Sequence, residues 1–144
     1  EMNQYYKVAK ESGVPFALAM IDIDNFKNIN DSYGHDIGDF VLIELAKILK
    51  NNLKGSDVVA RFGGEEFCIV LKNINQKQAL EYFLKLKGSI AAVKMRPKEV
   101  KAFNVTISIG VAFDDASGLD EILKQADMAL YQAKKNGKNR VEVG

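Results

Sequence analysis

The sequence predicts an α/β (α+β) domain: a mixed central β-sheet flanked by helices, close to a ferredoxin-like βαββαβ core. Three observations point there. Phe16 to Ile21 is an unbroken apolar run, the pattern of a central strand buried on both faces. Two β-type runs, Val58 to Phe62 and Phe67 to Leu71, flank a Gly63-Gly64 pair, and glycine tolerates the positive φ of a hairpin turn. Long segments with apolar residues at helical spacing alternate with these strands. At 144 residues the chain fits one domain, 1–144. A chain of about 150 residues buries roughly two-thirds of its unfolded surface, enough for a self-sufficient core.

The elements follow in order. Glu1 to Ser12 reads as the end of a helix, with Tyr5, Val8 and Ala9 on one stripe, broken by Gly13-Val14-Pro15. After the first strand, Asn25 to Ser32 reads as a short helix and Tyr33-Gly34 as a loop. Asp36 to Leu53 is amphipathic, with Ile37, Val41, Leu45, Ile48 and Leu49 as its stripe. The hairpin comes next. Asn75 can cap a helix over Gln76 to Val93, with Gln78 in the capping-box position; its predicted core stripe is Leu80, Phe83, Leu84, Ile90 and Ala91. Val105, Ile107, Ile109 and Val111 alternate with Thr106, Ser108 and Gly110, which predicts a strand with a half-polar face. Ser117 and Asp120 open a last helix with Leu119, Ile122, Leu123, Ala126 and Leu130 inward, and Gly137 stands just past its end. Val141 to Val143 adds a short final strand.

Composition narrows the function. With 47% hydrophobic and 27% charged residues, the chain is not disordered as a whole. Twenty Lys+Arg against 19 Asp+Glu leave a net charge of +1, without the basic excess of a general nucleic-acid binder. No apolar run reaches the ~18 residues of a membrane span, and the polar N-terminus shows no signal peptide. One cysteine, Cys68, excludes an internal disulfide framework and a cysteine-rich zinc site; one histidine, His35, excludes a multi-histidine site. The expectation is a cytoplasmic domain without direct membrane contact, whose metal, if any, is bound by oxygen.

Carboxylates gather at two strand ends. Asp22, with Asp24, closes the first strand; Glu65 and Glu66 follow the glycine turn. Were the first strand beside the hairpin, Asp22 and Glu65 would converge as a site for a hard cation such as Mg²⁺, which uses one or two carboxylates plus substrate phosphates. The alternatives are solvated loop acids, a bare turn, and Asp24 as a helix cap. A second group is Lys27, Asn30, His35, Asp36 and Asp39. Asn and Asp can read a purine edge: a carboxylate accepts from N1–H and N2–H₂ of guanine, whereas adenine has no donor at N1. The plainer alternative is a solvated helix-loop-helix surface. Lys134, Lys135, Lys138 and Arg140 form a basic group suited either to phosphate or simply to the helix dipole.

Together these residues resemble the GGDEF family, the diguanylate cyclases. Arg61-Phe62-Gly63-Gly64-Glu65-Glu66-Phe67 is similar to the signature in its Gly-Gly-Glu-Glu-Phe variant. Asp22-Ile23-Asp24-Asn25-Phe26-Lys27-Asn28-Ile29-Asn30-Asp31 and Tyr33-Gly34-His35-Asp36-Ile37-Gly38-Asp39 look like the first strand and substrate segment. Val105 to Ala112, Ala126 to Lys134 and Gly137-Lys138-Asn139 resemble the late strand and closing segment. The resemblance covers about Phe16 to Arg140. It implies a palm-like, nucleotidyl-cyclase type of scaffold. It further implies condensation of two GTP to cyclic di-GMP with release of two pyrophosphates, between two copies of the domain as a homodimer. Asp22, the Ile23 carbonyl and Glu65 would hold Mg²⁺, with Mn²⁺ as a substitute. Glu65 is the position usually assigned as proton acceptor, and Glu66 would assist. Asn30 and Asp39 would read guanine; Phe26, Lys27, His35, Lys134 and Lys138 would lie around the nucleotide, and Gly63 and Gly64 beside the α-phosphate.

Some positions depart from the family pattern. Where relatives often carry an inhibitory Arg-x-x-Asp product site, this chain reads Lys54-Gly55-Ser56-Asp57, so Asp57 remains and the arginine is Lys54. Lysine lacks the planar fork, which predicts weak or absent product inhibition. Lys138 stands where relatives often carry arginine. An Asp-x-Leu-Thr-type N-terminal segment is missing, so the chain reads as a catalytic domain separated from an upstream input region, with membrane anchoring of a longer protein left open. The alternative function is a catalytically inactive GTP- or cyclic di-GMP-binding receptor module.

Overall fold

β1 (Phe16–Ile23) runs through the middle of the molecule, and seven of its eight residues are buried. The computed structural model describes residues 15–55, 57–114 and 118–144. After β1 come α1 (Phe26–Tyr33), α2 (His35–Asn51), β2 (Val58–Arg61), β3 (Glu66–Lys72), α3 (Gln76–Ala92), β4 (Ile107–Phe113), α4 (Leu119–Lys135) and β5 (Val141–Val143). The sheet order is β2-β3-β1-β4-β5. β1 is antiparallel to both β3 and β4, while β5 joins β4 in parallel, so the sheet is mixed as predicted. The first four strands, with their crossover helices, are the βαββαβ core.

Period-two alternation splits the sheet between two apolar layers. Ala17, Ala19, Ile21 and Ile23 point to one face with Phe67, Ile69 and Leu71, under Val41, Leu45 and Leu49 of α2 and Phe83, Leu86 and Ile90 of α3. Phe16, Leu18 and Met20 point to the other with Cys68, Val70 and Ala112, under Ile122, Ala126 and Leu130 of α4. Burial pushes the Cys68 thiol up to about 12, which leaves it an inert core side chain.

Two expectations are corrected. The inward line of α3 is Ala79, Phe83, Leu86 and Ile90; Leu84 is exposed, and Leu80 and Ala91 are half-buried. The stripe that joins the sheet's core is the one that carries Ala79 and Leu86. The half-polar face of β4 lies under α4, with Ser108 fully buried. β4 also starts at Ile107 rather than Val105. The predicted capping box of α3 is present, with Asn75 Oδ1 accepting from Gln78 N (2.8 Å) and Gln78 Oε1 accepting from Asn75 N (3.2 Å). The predicted N-terminal helix, Ser117 and Ser56 lie outside the described residues.

Candidate active site

Antiparallel pairing sets the C-terminal end of β1 beside the N-terminal ends of β3 and β4. Asp22 is the register partner of Glu66 on one side and Ser108 on the other. Register partners project from the same face, so all three point towards α4. Asp24, two residues on, keeps that direction. The last turn of α4 then brings Lys134 over the group, with Nζ 2.9 Å from Asp24 Oδ1, 3.6 Å from Asp22 Oδ2 and 3.2 Å from the Ile23 carbonyl oxygen.

The two aspartates are treated oppositely. Burial raises the Asp22 carboxyl to about 6; Lys134 opposes the rise and nearby Glu65 and Glu66 add to it. Asp22 Oδ1 is buried and has no partner among the described residues. Glu66 is also shifted upwards, by burial and then by Asp127 and Glu65, against Lys134. Burial works to raise Asp24 too, but its hydrogen bonds win and hold it below the ordinary carboxylate value. Thr106 Oγ1 and Ser108 Oγ each donate to it at 2.6 Å, and the Asn139 backbone N–H donates at 2.9 Å. Asp24 is therefore not a helix cap: Asn25 occupies that position at φ 58°. Its side-chain oxygen accepts from Lys138 Nζ at 2.6 Å.

This oxygen set fits a hard cation. One ammonium already lies against the Ile23 carbonyl and Asp22, and the unpartnered Asp22 Oδ1 is an acceptor awaiting a positive partner. Among the described residues no three His, Cys, Asp or Glu side chains are arranged to hold a metal by themselves.

The glycine turn faces the same end of the sheet. Phe62 N–H donates to the Glu66 carbonyl at 2.7 Å, and Gly63 takes φ 102°. Arg61 ties the tip down, its Nε and Nη2 donating to the Gly64 carbonyl at 3.1 and 2.6 Å.

A family profile described as "Diguanylate cyclase, GGDEF domain" matches residues 1–140. The chain belongs to the GGDEF domain family. Among similar proteins, Diguanylate cyclase A of Treponema denticola is 46% identical over 127 residues, which is 87% of this chain and 34% of that protein. Diguanylate cyclase DosC of Escherichia coli is 35% identical over 136 residues, 94% of this chain and 30% of that protein. The chain thus spans about a third of the length of these curated relatives. Among solved structures, the GGDEF domain of DgcB from Caulobacter crescentus, in complex with c-di-GMP, superimposes with a TM-score of 0.90 at 27% identity, covering 98% of this chain and 84% of that one. The active GGEEF domain of a diguanylate cyclase from Vibrio cholerae has a TM-score of 0.86 at 34% identity, covering 98% and 90%.

Within this GGDEF domain the predicted residues are spread over several places. Asp22, the Ile23 carbonyl, Glu65, Glu66 and Lys134 meet at the strand ends. Lys27, His35 and Asp39 are exposed on α1 and α2, while Asn30 and Phe26 are half-buried between those helices. Gly63 and Gly64 form the exposed turn, and Lys138 leans back on Asn25. Asp57 lies at the far end of the sheet. Its carboxylate accepts from the backbone N–H of Lys72 at 2.9 Å and of Lys54 at 3.4 Å, beside a cavity of about 580 Å³ that Lys54, Lys72, Tyr82 and Lys85 help to line. Sequence reasoning missed Asp24 as the buried hub and Arg61 as the tie of the turn. The Asp-x-Asp spacing at a strand end signalled that both carboxylates share one face, but not that Asp24 is the hub.

Proposed function

We propose that this domain is a diguanylate cyclase, with each copy binding one GTP and two copies facing each other to form cyclic di-GMP and two pyrophosphates. The observation that carries the reading is the strand-end cluster of Asp22, Glu65 and Glu66 under Lys134, with an orphaned Asp22 oxygen. The 3′-oxygen of one GTP forms a bond to the α-phosphorus of the other. The bond to the bridging oxygen breaks and pyrophosphate leaves with the electron pair. Done twice, this closes the ring.

Asp22, Glu65 and the Ile23 carbonyl would hold Mg²⁺, which when bound neutralises charge on the phosphates and lowers the pKa of a coordinated hydroxyl. Lys134 sits beside that place and is suited to share the phosphate charge. Glu65, half-buried at the turn, would receive the proton of the 3′-hydroxyl. A metal-bound carboxylate is a weakened base, so its role as ligand is the stronger one. Asn30 and Asp39 offer acceptors to the N1–H and N2–H₂ edge of guanine. Phe26, Lys27 and His35, on the same two helices, would lie around the base.

The test is incubation of the concentrated domain with GTP and Mg²⁺, following cyclic di-GMP and pyrophosphate by chromatography, with Glu65→Ala alongside. Product from the parent and a loss of at least about a hundredfold in the variant are expected. No product, even after forced pairing through a fused coiled coil, would move the assignment to a receptor for GTP or cyclic di-GMP.

A further inference from the structure

Three oxygens surround the Lys134 ammonium, and they are of two kinds. The Ile23 carbonyl oxygen at 3.2 Å and Asp22 Oδ2 at 3.6 Å belong to the set suited to a hard cation. Asp24 Oδ1, at 2.9 Å, does not. Its carboxylate is already held by other donors: Thr106 Oγ1 and Ser108 Oγ at 2.6 Å each, and the Asn139 backbone N–H at 2.9 Å. These come from the approach to β4, from β4 itself and from the turn after α4, so the carboxylate is fixed in place. The Asp24 side chain is 1% exposed, against 22% for Asp22. The ion pair with the drier partner is the stronger of the two, because less water screens it.

A divalent ion on Asp22 and the Ile23 carbonyl would take two of those oxygens away from Lys134. Of the three, Asp24 is the one that the ion leaves to the ammonium. Lysine carries three N–H donors, so an ammonium held by Asp24 alone keeps two for phosphate. We propose that Asp24 is a positioning residue: it anchors the Lys134 ammonium at the edge of the cation place. The lysine then stays beside a bound divalent ion instead of competing with it for Asp22 and the Ile23 carbonyl. The inference rests on the reading of Asp22 and Ile23 as cation ligands, and it gives Asp24 a function that is not ligation.

Asp24→Asn separates this role from packing. The amide has the shape of the carboxylate, and the Thr106 and Ser108 hydroxyls can accept as well as donate. What is lost is the charge. Among the described residues, the other carboxylate within 4 Å of Lys134 Nζ is Asp22. In the variant the ammonium should therefore move onto Asp22 and stand in the place of the ion.

The test is a cycle of the parent, Asp24→Asn, Lys134→Met and the double variant. Each is titrated with Mn²⁺ alone, below its melting transition, and free Mn²⁺ is read by electron paramagnetic resonance. Asp24→Asn should bind Mn²⁺ about tenfold more weakly than the parent, the scale of one hydrogen bond to a charged group. With Lys134→Met already present, the same change should cost no more than about twofold. Unchanged Mn²⁺ affinity in Asp24→Asn overturns the proposal. So does an equal loss with and without Lys134, which would mean that only a negative charge near the ion was removed. Asp22→Asn binding Mn²⁺ as the parent does sinks the cation place itself, and the role of Asp24 with it. Should Asp24→Asn not fold, the parent supplies a second readout. Mg²⁺ is added together with α,β-methylene GTP, which is not cleaved at the α-phosphate, and the side-chain carboxyl carbons are followed by NMR. The Asp22 carbon should shift and the Asp24 carbon should stay. Comparable shifts at both mean that the ammonium has left Asp24, and overturn the proposal.

Discussion

Two aspartates two residues apart carry opposite consequences for stability. Asp24 is depressed by its donors, so its contribution is present above its ordinary value of 3.8 and is lost as pH falls through the lower folded value. Asp22 is raised from 3.8 to about 6, so the folded state prefers it protonated. Ionising it costs stability as pH rises through the window between those values. At neutral pH the penalty is at most about 3 kcal/mol, at about 1.4 kcal/mol per pKa unit. The metal-free Asp22→Asn variant should therefore melt above the parent at pH 7.5 in a chelating buffer. The gap should narrow from pH 6 downwards and vanish below about pH 4. Melting curves across that range check it; a variant less stable than the parent at pH 7.5 contradicts the reading of Asp22. The same variant should lose cyclase activity, so stability and function pull in opposite directions at this residue.

Gly110 shows how an element is placed for the site. A Cβ there would collide with the Ala126 carbonyl oxygen and the Leu130 nitrogen, both backbone atoms of α4, and lie 2.8 Å from Ala129 C. This contact has no flexible end to move. Gly110→Ala must lift α4 off β4, at a cost of about 2 kcal/mol or more. Because α4 carries Lys134, the lift should also weaken nucleotide binding; calorimetric melting and binding of α,β-methylene GTP would show both losses together. Glycine at position 110 was visible in the sequence, but its reason was not, since the reason is a helix starting nine residues later. The same limit explains the other misreadings. β1, the hairpin and the three long helices were legible because local periodicity and turn chemistry specify them. The line of α3 was misplaced because Leu80 and Leu84 offer as apolar a stripe as Ala79 and Leu86, and only the tertiary packing that buries the second pair decides between them. The carboxylates at the strand ends were legible as candidates. Asp24 as a hub was not, because its partners Thr106, Ser108, Lys134 and Asn139 lie 82 to 115 residues away and no local pattern announces them.

Across the whole molecule, the sheet separates two ends with different chemistry. Asp22 closes β1 at one end, while Phe16 opens it opposite Lys72 at the other. The Lys54–Asp57 region sits at that second end, about 20 Å of strand away from the carboxylates. A ligand bound there cannot touch the proposed reaction centre of its own domain. It would have to act by bridging to another domain or by distorting the sheet, and the sheet core is tightly buried. Local chemistry also disfavours such a ligand. Asp57 already accepts backbone N–H groups from Lys72 and Lys54, one on each carboxylate oxygen, which ties the loop to the strand. Lys54 presents a point charge without a planar fork for phosphate or guanine. Cyclic di-GMP should therefore inhibit the domain only by competing for GTP: raising GTP should relieve the inhibition fully, and Lys54→Ala should leave the inhibition constant within about twofold, the scale of an exposed charge contact. Initial-rate measurements at several GTP and product concentrations decide it. Non-competitive inhibition abolished by Lys54→Ala would mean that the far end of the sheet holds product despite its lysine, and that the two ends communicate through the fold.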